Sequence, residues 1–278
     1  MTTENEQLME KAAGLRRDIL LMNHAAGSGH PGGSLSAADV VACLFFSEMK
    51  LDAENPDWEE RDRFVLSKGH ACPVLYAALA EKGYFSRDEY QKLRKTGGML
   101  QGHPDRLKTP GVEFNSGSLG QGFSAAIGMA LGGKRSGRSY RVYALLGDGE
   151  LDEGQVWEGF MFAAHHNLDN LCAFIDYNKL QSDDYNENIM NLEPLADKLR
   201  AFNWHVIEID GHNTEEILSA LAEARSVGGR PTVVIAHTVK GRGVSFMENH
   251  PRWHGSLAPS PEELEIALDE LKGGGRIC

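Results

Sequence analysis

A Gly-Asp-Gly sequence at residues 147–149 constrains the fold of this chain more than any other feature. It follows directly on an apolar run at 142–146, and a second apolar run at 171–175 ends shortly before Asn178. Asn178 follows Asp148 by 30 positions, which is enough for one crossover helix and one further strand. Such a βαβ unit has parallel strands. We therefore predict an α/β fold, with a parallel sheet flanked by helices.

Asp148 and Asn178 each follow a predicted strand. The carboxyl ends of neighbouring parallel strands open onto one crevice, so the two side chains are expected to meet there. Carboxylate and amide oxygens are ligands for a hard cation such as Mg²⁺ or Ca²⁺, and the glycines allow a phosphate group to approach the backbone closely. Gly-Asp-Gly alone is also common in turns, but the spacing to Asn178 favours a metal-diphosphate site.

Composition limits the class of protein. The chain has 278 residues with 41% hydrophobic content, which is enough for a large core. A formal net charge of −12 argues against nonspecific nucleic-acid binding. No apolar run is long enough to span a membrane, and the mixed-charge N-terminal helix does not resemble a signal peptide. Scattered cysteines without a CxxC pair predict reduced thiols in a cytoplasmic protein: Cys43, Cys72, Cys172 and Cys278.

Hydrophobic periodicity predicts the remaining elements. Apolar residues at helical spacing predict helices over 6–23, 121–131, 155–167 and 214–227. Short apolar runs predict further strands over 63–67, 205–209 and 232–236. Ser36 is predicted to cap a helix over 37–49. No linker separates two cores, so residues 1–278 are expected to form a single domain.

Histidines occur in several glycine-containing loops. His30 lies in GSGHPGG, His70 in SKGHA after a predicted strand, and His103 in QGHPD within a long irregular stretch. His254 lies near the end of the chain, in WHG. A single loop histidine is usually a solvated side chain, and long loops in compact domains are usually functional or disordered. The glycines of NSGSLGQG (115–122) fit either close ligand approach or close helix packing.

Taken together, these motifs resemble the N-terminal half of transketolase. The matching sequences are GSGHPGG, SKGHA, QGHPD, GSLGQG, GDGELDEG through NKLQ, and TVKGRG followed by WHG. The resemblance covers essentially the whole chain, and the motifs are specific in combination. It implies the thiamine diphosphate (ThDP) binding fold of the diphosphate (PP) type. It also implies transfer of a two-carbon glycolaldehyde unit from a ketose phosphate to an aldose acceptor.

The resemblance also implies roles for individual residues. Asp148, Asn178 and the Leu180 carbonyl would bind Mg²⁺ or Ca²⁺. The catalytic residues would be His30, His103 and His254. The cofactor would be bound by His70, Gly117, Leu119, Asp148, Gly149, Asn178, Lys240 and His254. Lys68 would add positive charge near the diphosphate, while Glu153 and Glu158 resemble acidic residues at the family's dimer interface.

A full transketolase continues into a pyrimidine-binding domain and a C-terminal domain, which this sequence lacks. We therefore predict the N-terminal subunit of a split transketolase, with sugar phosphate substrates. A separate partner chain would carry the C-terminal half, in an α2β2 assembly. Three alternatives remain open. They are another ThDP enzyme such as deoxyxylulose phosphate synthase, a noncatalytic ThDP-binding module, and a metal-dependent phosphohydrolase.

Overall fold

Five parallel strands form the central sheet of the computed structural model, which describes residues 2–272. Every neighbouring pair is parallel, in the order β1-β2-β3-β5-β4. The strands are β1 (Arg63–Leu66), β2 (Val142–Gly147), β3 (Leu171–Tyr177), β4 (His205–Asp210) and β5 (Thr232–His237). The predicted parallel sheet is thus confirmed. Cys278 and the rest of the terminal GGGRIC sequence lie outside the described residues.

Helices cover both faces of this sheet. Their bounds are α1 (Glu4–Ala26), α2 (Pro31–Ser36), α3 (Ala38–Cys43), α4 (Cys72–Glu81), α5 (Gln121–Arg135), α6 (Gly154–His165), α7 (Asn186–Ile189), α8 (Leu195–Ala201), α9 (Thr214–Ser226) and α10 (Pro261–Lys272). The first helix begins with a capping box between Thr3 and Glu6. It ends at Gly27, whose φ of 68° is in the left-handed region that favours glycine.

The sheet separates two hydrophobic cores, because alternate residues of each strand face opposite sides. Along β2, Tyr143 and Leu145 pack against α1, α3, α4, α9 and α10, whereas Ala144 and Leu146 pack against α5, α6 and α8. The central strand β3 is buried along its whole length. A parallel sheet covered on both faces has continuous apolar strands, which explains the unbroken apolar runs in the sequence.

The segment after His30 differs from the prediction. Ser36 was expected to cap a helix over 37–49, but a helix already begins at Pro31. Proline at the first helical position is favoured because its fixed φ suits the helix and its missing N–H costs nothing there. Ser36 is therefore the last residue of α2, and its buried hydroxyl donates to Asp176 (2.7 Å) and lies within hydrogen-bond distance of the Gly33 carbonyl (3.2 Å). The predicted cap at Ser36 was wrong.

The described cysteines are thiols. Cys43, Cys72 and Cys172 are free and buried, and burial raises the pKa of each to about 12. They are therefore protonated and unreactive packing residues at neutral pH. Within residues 2–272, no helix is both long enough and apolar enough to cross a bilayer.

A buried polar cluster joins the helical layer to the end of the sheet. Arg16 of α1 forms an ion pair with Asp39 of α3, and His212, just after β4, hydrogen bonds to the same carboxylate (2.7 Å) through Nδ1. The N–H of Val239 donates to Nε2 of His212 (2.8 Å), so the imidazole is neutral with its proton on Nδ1. This cluster fixes the loop that follows β5.

Asp39 is expected to make the stability of the fold depend on acidity. Burial disfavours its charge, but Arg16 and the hydrogen bond from His212 outweigh this and lower its pKa from 3.8 to about 2. Because the folded pKa lies below the unfolded one, this contribution is complete above pH 3.8 and is lost as the pH falls towards 2. The loss amounts to about 2 kcal/mol. Urea denaturation at several pH values measures it.

Asp39→Asn tests this assignment. The free energy of unfolding of the unmodified chain should exceed that of Asp39→Asn at pH 6, and the difference should shrink as the pH falls below 4. Asp57→Asn, at an exposed position, is the control and should follow the unmodified chain at every pH. A difference between the unmodified chain and Asp39→Asn that stays constant down to pH 3 contradicts the role of Asp39.

Candidate active site

The carboxyl ends of the central strands surround a cavity of about 230 Å³. It is lined by His30, Gly33, Lys68, His70, Gly117, Leu119, Gly147, Asp148, Gly149, Glu150, Asn178, Leu180, Gln181, Ser182, Lys240 and His254. This set includes every residue predicted to bind the cofactor or the metal. Of the predicted site residues only His103 is not among them. Segments from separate parts of the chain are thereby brought to one place.

Asp148 is a buried carboxylate at the end of β2. One of its oxygens accepts the N–H of Gly149 (2.8 Å) and the other accepts the N–H of Lys179. Among residues 2–272, no lysine, arginine or histidine forms an ion pair with it. Burial, together with the nearby charge of Asp176, raises its pKa to about 6. A divalent cation would offset both effects, so this carboxylate fits a metal ligand.

Asn178 and Leu180 present oxygens to the same cavity. The Asn178 amide donates through Nδ2 to Asp176 (3.1 Å), which assigns its Oδ1 to the opposite side, where it accepts the N–H of Leu180 (3.1 Å). The Leu180 carbonyl accepts a hydrogen bond from the ammonium of Lys240 (2.6 Å). A carboxylate, an amide and a carbonyl form an oxygen donor set suited to Mg²⁺ or Ca²⁺.

This donor set differs from the metal sites that side chains form alone. The described part of the chain contains no group of three or more His, Cys, Asp or Glu residues that could hold a metal ion. The Asp148 site would therefore depend on amide and main-chain oxygens, and on oxygens supplied by a bound diphosphate. Such a site suits Mg²⁺, which commonly binds one or two protein carboxylates together with substrate phosphates.

Asp176 organises the site from below, and the sequence analysis missed it. Its carboxylate forms an ion pair with Lys68 and accepts hydrogen bonds from Ser36, Asn178 and Thr238. Burial opposes its ionisation, but Lys68 outweighs this and keeps its pKa below the usual value. The charge of Lys68 is thus already paired with Asp176. A buried carboxylate inside the apolar run FIDYN was the only indication in the sequence.

Glu150 is a second buried carboxylate that the sequence analysis missed. It accepts hydrogen bonds from the hydroxyl of Ser67 and from the N–H groups of Gly120 (2.8 Å) and Gly147 (3.1 Å). It therefore ties the Gly-Asp-Gly turn to the end of β1 and to the start of α5. In the sequence it resembles an ordinary solvated turn residue, because its partners are distant along the chain.

The glycines of residues 115–122 serve both of the purposes that the sequence left open. A Cβ on Gly122 would lie 2.7 Å from the Cα of Ser67, so this glycine allows α5 to pack closely against the end of β1. Gly117, in contrast, lines the cavity and lies beside the His103 ring, 3.3 Å from a Cβ built on the glycine. Close helix packing and ligand approach thus apply to different glycines of one motif.

Four histidines gather at the mouth of the cavity. The ring centroids of His30 and His70 are 5.2 Å apart, those of His70 and His254 5.3 Å, and those of His30 and His103 6.5 Å. His103 is exposed at the rim, whereas the other three are half-buried. Burial, reinforced by neighbouring cations, lowers the pKa of His30 to about 4 and that of His254 to about 3. These imidazoles are therefore neutral at physiological pH.

Lys240 links the oxygen donor set to this histidine group. Its buried ammonium donates to the Leu180 carbonyl, to the Gln181 carbonyl (3.2 Å) and to Nδ1 of His254 (2.7 Å). Because an ammonium is only a donor, Nδ1 of His254 is an acceptor and the proton of this imidazole lies on Nε2. That nitrogen lies 3.3 Å from the Ser182 hydroxyl.

A parallel α/β domain with a Gly-Asp-Gly turn, a downstream asparagine and a cavity for an anionic ligand defines the class of ThDP-binding domains. The family model for the transketolase thiamine diphosphate-binding domain matches residues 11–268. The chain belongs to the transketolase family and corresponds to its N-terminal, ThDP-binding domain. The predicted family and the predicted class of enzyme are thereby confirmed.

Curated relatives fall into two groups by length. The 6-deoxy-6-sulfo-D-fructose transketolase subunit SqwG of Clostridium sp. is 48% identical over 99% of this chain and 100% of the relative. One of the two subunits of an apulose-4-phosphate transketolase, from Actinobacillus succinogenes, is 40% identical over 96% of each chain. Human transketolase is 44% identical over 91% of this chain but only 40% of its own length. The relatives of similar length are named as subunits.

Solved structures give the same result for the fold. The crystal structure of Campylobacter jejuni transketolase superposes with a TM-score of 0.91 at 31% identity. The match covers 100% of this chain and 44% of that one. The ThDP-binding fold predicted from the motifs is thus confirmed.

Proposed function

We propose that this chain is the diphosphate-binding half of a two-subunit transketolase, which moves a two-carbon unit from a ketose to an aldose. One observation carries the proposal. Asp148, Asn178 and the Leu180 carbonyl meet in one cavity with His30, His70 and His254. An oxygen donor set beside neutral imidazoles suits a metal-bound diphosphate next to a sugar.

The residues of the cavity fit ThDP and its metal. Asp148, Asn178 and the Leu180 carbonyl would hold Mg²⁺ or Ca²⁺, because they are hard oxygen donors and Asp148 is buried without a cationic partner in the described chain. The diphosphate would contact Gly149, His70, His254 and Lys240, while Gly117 and Leu119 would line the cofactor rings. When bound, ThDP supplies the carbon nucleophile and electron sink for breaking the C2–C3 bond of the ketose.

The histidines would handle the hydroxyl groups and protons of the sugar. His30 and His254 are neutral and partly buried, so each can donate one hydrogen bond without the cost of a buried charge. His103 lies exposed at the rim, where a substrate arrives first. A neutral imidazole can accept a proton from a hydroxyl group and return it, because its ordinary pKa is close to neutrality.

The second half of the enzyme would come from a separate partner chain. Relatives of the same length are named as subunits, whereas human transketolase carries the matching region in 40% of its chain. The partner would supply the pyrimidine-binding half, and an α2β2 assembly in the cytoplasm is the symmetric arrangement. Glu153 and Glu158 are exposed, Glu158 on α6 and Glu153 just before it, and are therefore accessible to a second copy of this chain.

The donor would be a ketose with an anionic terminal group. The two relatives of similar length are named for 6-deoxy-6-sulfo-D-fructose and for apulose 4-phosphate, one a sulfonate and the other a phosphate. Both are ketoses that carry the anion far from the bond to be cleaved. We infer a sugar phosphate or sugar sulfonate donor for this chain, in pentose phosphate metabolism or a parallel sugar route.

A two-carbon transfer assay tests this function. The chain is assayed alone and with its partner chain, with ThDP and Mg²⁺ present. The donors are xylulose 5-phosphate and 6-deoxy-6-sulfofructose, and ribose 5-phosphate is the acceptor. Transfer that requires the partner supports the proposal. Consumption of pyruvate instead indicates a deoxyxylulose phosphate synthase, phosphate release without ThDP indicates a phosphohydrolase, and ThDP binding with no turnover of any donor indicates a noncatalytic module.

His103→Ala is expected to reduce kcat by about 100-fold while changing the affinity for ThDP less than about threefold. The reason is position, since His103 lies at the rim and outside the group that lines the cofactor cavity. Steady-state kinetics and calorimetric titration of ThDP measure the two quantities. His165→Ala, at the C-terminal end of α6, is the control and should leave both unchanged. Unchanged turnover at saturating donor would remove His103 from the catalytic residues.

A further inference from the structure

Arg94 is a cation beside the histidine group to which no role has yet been assigned. Its guanidinium donates to the Ser28 hydroxyl (3.3 Å) and to Nδ1 of His30 (3.3 Å). It forms no ion pair with a carboxylate of residues 2–272, although it is half-buried. Half-buried arginines are usually paired with an acid, so a cation that instead contacts an imidazole calls for an explanation in terms of that imidazole.

The backbone holds this arginine in place. Arg94 has a φ of 59°, a left-handed conformation that is uncommon for residues other than glycine, and its N–H donates to the Leu100 carbonyl (2.9 Å). Its side chain then crosses Gly102, where an added Cβ would lie 3.2 Å from Nε of the arginine. Gly102 immediately precedes His103. The guanidinium is therefore fixed between two residues of the proposed active site, His30 and His103.

The chemistry of the contact determines where the proton of His30 lies. A guanidinium has donors only and stays charged in proteins, so Nδ1 of His30 must be an acceptor. The proton of the neutral ring is then on Nε2, the nitrogen that Arg94 does not contact. We propose that Arg94 is a positioning residue for His30, which it holds as a neutral imidazole that donates through Nε2 to the substrate.

His254 and His212 show the same logic with both signs of charge. Lys240 donates to Nδ1 of His254 just as Arg94 donates to Nδ1 of His30. His212, outside the cavity, instead places its Nδ1 on the carboxylate of Asp39. A carboxylate partner makes an imidazole more basic, whereas a cation makes it a weaker base. The two histidines of the cavity with a described Nδ1 partner both face cations, which favours hydrogen-bond donation over proton removal.

Nuclear magnetic resonance of the full chain labelled with 15N-histidine tests the proposal directly. The 15N shifts of the ring nitrogens distinguish the two tautomers, and His30→Gln identifies the His30 signals by their loss. The expected result is an unprotonated Nδ1 and a protonated Nε2. A protonated Nδ1 in the unmodified protein overturns the proposal, and this measurement needs no variant at position 94.

Arg94→Met provides the second test. It is expected to populate both His30 tautomers, to raise the His30 pKa and to lower kcat by about 10-fold or more, with ThDP affinity unchanged. The charged and titratable groups that remain around His30 are His70, His103, Lys240 and His254. Arg106→Met, an exposed arginine of the following loop, should change none of these quantities.

Two outcomes of the Arg94→Met test count against the proposal. One is an unaltered His30 tautomer and kcat. The other is a KM that rises for a phosphorylated donor but not for the same sugar without phosphate, which would make Arg94 an anion-binding residue. The proposal rests on the proposed function for its catalytic meaning, but the tautomer is measured without any sugar. Absence of two-carbon transfer with the expected tautomer would therefore refute the function and not the contact.

Discussion

Replacing Asp148 with alanine is expected to lower the affinity of the assembled enzyme for ThDP by about 100-fold or more at saturating Mg²⁺. Asp148 is the one charged group among the three protein oxygens proposed for the metal, so its loss removes most of the attraction for a divalent cation. The fold should persist, because the carboxylate is buried without a cationic partner in the described chain and its charge is disfavoured there. Calorimetric titration of ThDP with Mg²⁺ and the Tm of the cofactor-free chain measure the two effects.

Asp152→Ala is the matched control for this experiment. Asp152 is exposed on the same turn as Asp148 and hydrogen bonds to the side chain of Gln181 (2.9 Å). Its removal should change ThDP affinity less than about threefold, because the exposed carboxylate is screened by water. Tight metal-dependent binding of ThDP by folded Asp148→Ala would show that the site lies elsewhere.

Lys68→Met is expected to lower the free energy of unfolding by about 3–5 kcal/mol. The side chains of Lys68 and Asp176 are each 2% exposed, and the ammonium also donates to the Gly33 carbonyl (2.7 Å). Methionine fills a similar volume but leaves the carboxylate of Asp176 buried without its cation. Urea denaturation of the cofactor-free chain measures the loss.

Lys134→Met is the corresponding surface experiment. Lys134 also pairs with an aspartate, Asp169 (2.6 Å), but its side chain is 38% exposed. Because water screens this pair, the expected loss is below about 1 kcal/mol. Equal losses for the two variants would contradict the conclusion that Asp176 depends on Lys68 for its burial.

The sequence was sufficient for the parts of this molecule that depend on local patterns. The apolar runs before Asp148 and Asn178 predicted two strands and a crossover helix, and β2, α6 and β3 are found there. The motif residues assigned to the metal and the cofactor all line one cavity. Each of these features is encoded within a few neighbouring residues, through turn chemistry or hydrophobic period.

The buried polar contacts could not be predicted in the same way. Asp176 meets Ser36 and Lys68, which precede it by more than 100 positions, and Arg94 meets His30 across 64. No local pattern distinguishes Glu150 from a solvated turn residue, because its burial results from packing against β1 and α5. Charged side chains are assigned to the surface by default, so residues that support a site from the interior are missed.

The order of the strands also determines when the site can form during synthesis. Within residues 2–272, β4 pairs with β5 alone, and β5 is inserted between β4 and β3. A chain emerging from the ribosome therefore holds β4 without a neighbour, and leaves one edge of β3 open, until residues 232–237 have appeared. Lys240 and His254 come later still, so the pocket closes only after nearly the whole polypeptide has emerged. Translational pausing before this point would expose an apolar strand edge to other nascent chains.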